Sequence, residues 1–330
     1  MKQNSKSLLV LLALSFLLSG ARTPQQLVSP KPEAPIVSVT SEKLKGSVVR
    51  IVGLLGTKVQ SGSGFFVAQN EIVTNIHVVA HRGPIFAKLV NKETVWAVEG
   101  VTAYDVKNDL VVLKITGEGT PLPLGDSDAV RRGETISVVG FPRGRYKVVT
   151  GTVLNTRNSD RRIRTTADTV TGNSGGPLLN SKGQVIGIHV ARDEAIPSNA
   201  LKALLSQSTQ VEPIEQWHKR KLIRAYAYFM LGKTKFAAKD YDNGMIDLDK
   251  AIQMNPELIY AYYGRGLAKS ELGDYNGAIA DYDRYIELNS GDAEAYYRRG
   301  QAKKALGQHD AARADFQKAK ELDPNIGGND

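Results

Sequence analysis

A period of 34 residues runs through the C-terminal third of the chain and limits its fold more than any other feature. Gly232, Gly266 and Gly300 keep this spacing, and so do Tyr228, Tyr262 and Tyr296, four residues ahead of them. Gly244, Ala278 and Ala312 follow twelve residues after each glycine. Leu248, Tyr282 and Phe316 hold the same register, as do Pro256, Ser290 and Pro324. Self-similarity at a fixed period of this size means stacked supersecondary units, each too small to bury its apolar face alone. A helix hairpin accounts for all five columns. Tyrosine and glycine share one face of the first helix. The small residue lets the second helix approach, and the bulky residue after it fills the space between repeats. Proline then ends the second helix.

These columns resemble the tetratricopeptide repeat, in three copies within a domain over 225–330, with Gly244 and Ser290 as departures. The resemblance implies a concave groove suited to a peptide or a partner helix. The segment Lys239–Gly244 (KDYDNG) has the flavour of a calcium loop, but its ligand spacing fails and the repeat accounts for it. No metal and no cofactor are expected.

Upstream the texture is different. Short runs such as SVVRIVGLL, SGFFVA, EIVTNIHVV, DLVVLKI, ISVVGF, KVVTGTVL and QVIGIHV are punctuated by Gly, Asn and Asp. Many short strands with frequent turn signals point to a sandwich or barrel. A short helix is expected at Ser198–Ser206, with Ser198 as its N-cap.

The chemistry is concentrated in TGNSGGPLL, residues 171–179. A serine hydroxyl is a poor nucleophile unless a base takes its proton and backbone amides receive the developing oxyanion. Glycines around Ser174 let the chain turn its amides inward, which makes Gly172, Asn173 and Ser174 the expected oxyanion segment. The chain has five histidines, His77, His81, His189, His218 and His309. His77 closes an apolar run about a hundred residues before the serine and is the candidate base. Asp109, which opens the run DLVVLKI, is the candidate for orienting it, with Asp105 as a near rival.

The order His77, Asp109, Ser174 matches the chymotrypsin-like triad. GSGFFV, TNIHVV, NDLVVLKI and GNSGGPLL resemble trypsin-like serine proteases and, more narrowly, HtrA-type proteases; Gly140–Gly144, Val149–Val153 and Ala195–Lys202 fit the same family. The resemblance covers about residues 45–207 and implies two six-stranded β-barrels with the catalytic cleft between them. The implied fold class is therefore multidomain, an all-β double barrel followed by all-α repeats. The family usually continues into PDZ domains; helical repeats stand there instead, so PDZ-based regulation does not transfer. Arg50–Gly53 (RIVG) looks like a zymogen activation site. Asn173 is neutral where an activated zymogen needs an aspartate, so RIVG is expected to be an ordinary strand.

Specificity stays open among three readings. Asp168, six residues before Ser174, sits as in trypsin and would favour Lys or Arg on the acyl side. Thr169 and His189, five before and fifteen after, sit as in bacterial glutamyl endopeptidases, where such a pair holds a carboxylate. HtrA-type enzymes favour small apolar residues.

The remaining features concern location and partners. Lys2 and Lys6 precede the apolar run Leu8–Leu18 and the small residues Ser19-Gly20-Ala21, the order of a secretory signal over 1–21. Residues 22–40 hold four prolines and read as a linker. The protease-like domain is placed at 41–207 and a linking helix at 208–224. There is no cysteine, hence no disulfide and no thiol nucleophile. The net charge of +9 is diffuse and implies no nucleic-acid role. The basic run His218–Arg224 is expected to be a solvated face of the linking helix rather than a membrane contact. The expected activity is that of an exported serine endopeptidase acting on polypeptides, with repeats that recruit a substrate or partner. The rival is a silent protease-like scaffold that binds through its repeats.

Overall fold

The structure is a computed structural model and describes residues 44–55, 58–80, 83–90, 92–156, 162–170, 172–191, 193–207, 210–324 and 326–327. The expected signal segment and linker, and His81, lie outside the described residues.

Six antiparallel strands close the first barrel: β1 (Val48–Leu55), β2 (Lys58–Ala68), β3 (Glu71–Asn75), β4 (Ile85–Leu89), β5 (Val95–Asp105) and β6 (Leu110–Ile115). The order is β5-β4-β1-β2-β3-β6, and β5 pairs with β6 to complete the ring. RIVG lies inside β1, paired with β2 on one side and β4 on the other, and Ile51 is fully buried. The second barrel is also closed, in the order β10-β11-β12-β9-β8-β7. Its strands are β7 (Thr135–Gly140), β8 (Lys147–Asn155), β9 (Ile163–Thr165), β10 (Pro177–Leu179), β11 (Val185–Ala191) and β12 (Glu194–Pro197). Buried and exposed residues alternate along β4 and the first half of β5, whereas β3, β6 and β7 are buried nearly throughout. One apolar cluster joins the barrels: Val48, Phe65 and Val73 from the first meet Val139, Leu179 and Ile188 from the second.

Helix α1 (Ile76–Val79) is a single turn directly after β3. Helix α2 (Ser198–Leu205) follows β12, with Leu201 and Leu204 in the inter-barrel cluster. Ser198 does not cap this helix. The N-cap is Pro197, and the buried Ser198 hydroxyl donates instead to Gly125 O at 2.9 Å.

A short strand β13 (Glu212–Pro213) then adds to the outer side of β5, and helix α3 (Ile214–Lys219) leads into the repeats. Three hairpins follow: α4 (Lys221–Ala237) with α5 (Tyr241–Met254), α6 (Ile259–Glu271) with α7 (Tyr275–Leu288), and α8 (Ala293–Ala305) with α9 (His309–Leu322). The bulky column has a second role beside the one expected. Its members cover the glycine of their own hairpin, and Leu248 also reaches across to Gly264 of the next repeat. A Cβ on Gly232, Gly266 or Gly300 would stand 2.7, 2.8 or 2.7 Å from Leu248, Tyr282 or Phe316.

An ionic column shares the period. Asp281 is buried and takes both Arg265 and Lys269, while Arg265 also reaches Asp249 of the preceding repeat. Asp315, Arg299, Lys303 and Asp283 repeat that pattern one unit on. Each arginine thus fastens its repeat to the one before, and the buried aspartate keeps two cations as partners, as a buried charge requires.

Candidate active site

The candidate residues converge on the seam between the barrels. Asn75, at the end of β3, is extended, and the chain then coils into α1, which carries His77. Asp109 stands just before β6 with φ 56°, a left-handed conformation that is uncommon outside glycine but tolerated by aspartate. That backbone state lets one residue reach back over α1 by both its main chain and its side chain. The Asp109 carbonyl accepts from Ile76 N at 3.1 Å and from Asn75 Nδ2 at 3.0 Å. Its carboxylate accepts from His77 N at 3.0 Å through Oδ1 and meets His77 Nδ1 at 2.6 Å through Oδ2. The carboxylate is nearly buried, so its charge is compensated by these contacts. A histidine whose Nδ1–H is held this way presents Nε2 as the free proton acceptor. Asp105, the rival acid, is spent on its own turn, accepting from Asn108 N at 3.1 Å and Nδ2 at 2.6 Å.

Ser174 comes from the loop before β10. Gly172 has φ +106° and Gly175 φ +85°, both in the region that favours glycine. A Cβ on Gly175 would stand 2.1 Å from Ser63 O, and one on Gly172 would stand 2.4 Å from Phe141 O. The glycines are therefore needed for close approach to both barrels, which is why they cluster around one serine. Asn173 is buried; its N–H donates to Val170 O at 3.3 Å and its Nδ2 to the same oxygen at 3.1 Å. The Ser174 hydroxyl donates to Val190 O at 3.3 Å.

Sequence reasoning missed Ser63, on β2. It is fully buried and makes four hydrogen bonds, three of them across the seam. Its hydroxyl donates to Gly172 O at 2.6 Å and accepts from Phe141 N at 2.9 Å. Its N–H donates to Ser174 O at 2.8 Å, and its carbonyl accepts from Thr74 Oγ1 at 2.7 Å. The motif GSGFFV contains it, but a serine between glycines carries no signal of a partner 109 residues away.

The specificity candidates separate. Thr169 and His189 are both buried, with Thr169 Oγ1 and His189 Nε2 3.0 Å apart. Asp168 alternates to the exposed side of the same segment. Burial, and secondarily the neighbouring His77, lowers the His189 pKa to about 4, so its ring is neutral at pH 7.

Among the described residues no hydrogen bond joins His77 to Ser174, whose hydroxyl goes to Val190 O. The two closed six-stranded barrels are the fold of a trypsin-like peptidase domain. Residues 62–188 match the family model of the trypsin-like peptidase domain, and residues 225–258, 268–307 and 293–326 match tetratricopeptide repeat models. Within the trypsin-like group the similarity is to HtrA and DegP proteins. The chain is 35% identical to the mitochondrial serine protease HTRA2 of Bos taurus, over 54% of this chain and 44% of that protein. It is 38% identical to a probable periplasmic serine endoprotease DegP-like of Hahella chejuensis, over 39% of this chain and 29% of that protein. The crystal structure of Deg5 matches at 33% identity with a TM-score of 0.45, covering 50% of this chain and 90% of that one. The chain spans less than half the length of the curated relatives named here.

Proposed function

We propose that the chain is an exported serine endopeptidase. Ser174 attacks the peptide carbonyl, His77 Nε2 takes its proton and returns it to the leaving amine, and Asp109 fixes the tautomer and stabilises the imidazolium. The observation that carries this reading is the Asp109 carboxylate, which holds His77 through Nδ1 at 2.6 Å and through the main-chain N–H at 3.0 Å. The amides of Gly172 and Ser174 are assigned to the oxyanion; the Asn173 amide between them already donates to Val170 O.

The Thr169–His189 pair supports an acidic residue on the acyl side of the cleaved bond. The neutral imidazole and the hydroxyl share one hydrogen bond, which leaves the pair one donor, an N–H or an O–H, to offer a carboxylate. Exposed Asp168 gives no comparable support to a Lys or Arg preference. Residues 1–21 direct export, in keeping with relatives named as periplasmic, and the repeats recruit a polypeptide substrate or a partner.

The silent-scaffold reading draws on one observation, the Ser174 hydroxyl directed at Val190 O. Exchange between staggered serine rotamers is an ordinary event, so that contact is compatible with turnover. A fluorophosphonate probe separates the two. Labelling of the wild-type protein, lost in Ser174→Ala and in His77→Ala, is the expected result. No labelling of the wild-type protein contradicts it.

A further inference from the structure

Helix α1, which carries His77, has four residues. A single turn leaves most of its backbone groups without partners inside the helix, so contacts from outside decide where it sits. Its start is held by Asp109, whose main chain takes Ile76 N and whose carboxylate takes His77 N. Its end is held from beyond the barrels. His218 Nε2 lies 3.0 Å from the oxygen of Val79, the last residue of α1. A carbonyl can only accept, so Nε2 carries the proton and donates it.

His218 belongs to α3, between β13 and the first repeat, and α3 is seated on β5 in three ways. Glu212 and Pro213 of β13 pair with Val101 and Gly100. The fully buried Trp217 ring meets Tyr104 edge-on at 6.0 Å. Arg220 Nε donates to the Glu212 carboxylate at 2.8 Å, and its guanidinium stands 5.7 Å over the Tyr104 ring. Arg220 is at once the C-cap of α3 and the N-cap of α4. No linker therefore separates His218 from the first repeat. Trp217 and Ile223 also share one apolar cluster with Ile76, Val78 and Val79.

We propose that His218 is a positioning residue for the triad. Its Nε2–H caps the Val79 carbonyl, fixes the far end of the His77 turn, and makes turnover depend on how the first repeat is seated. This rests on the function proposed above. The last carbonyls of a helix lack partners within it, and a histidine near the C-terminus is one of the side chains that satisfy them. Trp217 supplies packing at the same joint, but its Nε1 has no hydrogen-bond partner among the described residues. The polar hold on α1 from this side is that of His218. Such a hold matters because misplacing a catalytic group by about 1 Å can cost as much as 100-fold in rate.

The test is His218→Phe in the full chain, which keeps a ring and removes the donor. Beside it stand His218→Gln, which restores an N–H donor, and Lys219→Ala on the exposed side of the same helix as a control. Two readouts are taken: the low-field Nδ1 proton of His77 by NMR, and kcat and KM on a peptide substrate. In His218→Phe the His77 signal is expected to move and kcat to fall about 5-fold with KM little changed, as loss of one hydrogen bond implies. His218→Gln and the control are expected to stay close to wild type in both.

The wild-type protein gives a further check that needs no variant. Nitrogen NMR of His218 is expected to show a proton on Nε2, and a ring protonated on Nδ1 alone would overturn the proposal. A folded His218→Phe protein with wild-type His77 signal and kcat would overturn it, and so would equal losses in the Phe and Gln variants, which would assign the effect to packing. Movement of the His77 signal in His218→Phe and its recovery in His218→Gln, in a protein that does not cleave, would uphold the coupling and overturn the protease function on which its catalytic meaning rests.

Discussion

Ser63 shows how much of a two-barrel site can hang on one side chain. Its hydroxyl is both donor to Gly172 O and acceptor from Phe141 N. Ser63→Ala leaves both groups buried without their partner, at a cost of about 1–3 kcal/mol. The loss should fall on catalysis more than on binding, because the tethered segment carries the proposed nucleophile, Ser174: kcat is expected to drop about 10-fold with KM little changed, by steady-state kinetics.

His189 makes a prediction about pH. Its folded pKa of about 4 lies below the unfolded value of 6.5. The unfolded chain therefore takes up a proton that the folded chain refuses. Stability is full above pH 6.5, falls as the pH drops below it, and has lost roughly 3 kcal/mol from this group by pH 4. Urea unfolding across that window should show the decline, and His189→Gln should flatten it.

At the scale of elements, β13 governs how the repeats are attached. Gly100 of β5 faces it so closely that a Cβ would stand 2.2 Å from Glu212 O. That neighbour is main chain and cannot turn aside. Gly100→Ala should unpair β13 from β5 at a cost of about 1–3 kcal/mol. Hydrogen exchange is the measurement, with faster exchange expected at Glu212 and along α3, and unchanged protection in the second barrel.

The same element marks what the sequence could not disclose. Glu212–Pro213 is too short for any periodicity, and segment 208–224 reads as a connector. Its basic residues Lys219, Arg220, Lys221 and Arg224 do face solvent, yet Trp217 and Ile223 between them are fully buried. The hairpins were legible because glycine, aromatic and proline columns recur at one spacing. The ionic column escaped notice, because charged residues on a helix ordinarily read as a solvated face.

At the scale of the whole molecule, the barrels and the repeats share a core. One apolar cluster runs from Ile51 and Phe66 of the first barrel through Trp217 and Tyr226 to Leu248 and Ala261 of the repeats. Motifs around His77, Asp109 and Ser174 announced the first and second barrels, because triad chemistry needs particular residue types in a particular chain order. Nothing in those motifs announced that the back of the His77 turn would be covered by a repeat helix. That fact lives in long-range packing among ordinary apolar residues, Val78, Val79 and Ile223 among them, which sequence patterns do not pair.

The shared core makes the barrels and the repeats one packed body rather than a protease-like domain with an appendage. The proposed hydrolysis of peptide bonds by Ser174 is put to the test by digestion of unfolded casein. The wild-type protein and its Ser174→Ala variant would be incubated side by side and the fragments sequenced by mass spectrometry. Cleavage by the wild type alone is expected, with acidic residues enriched on the acyl side of the cuts. Casein left intact by the wild-type protein, or cut equally by both, would contradict it.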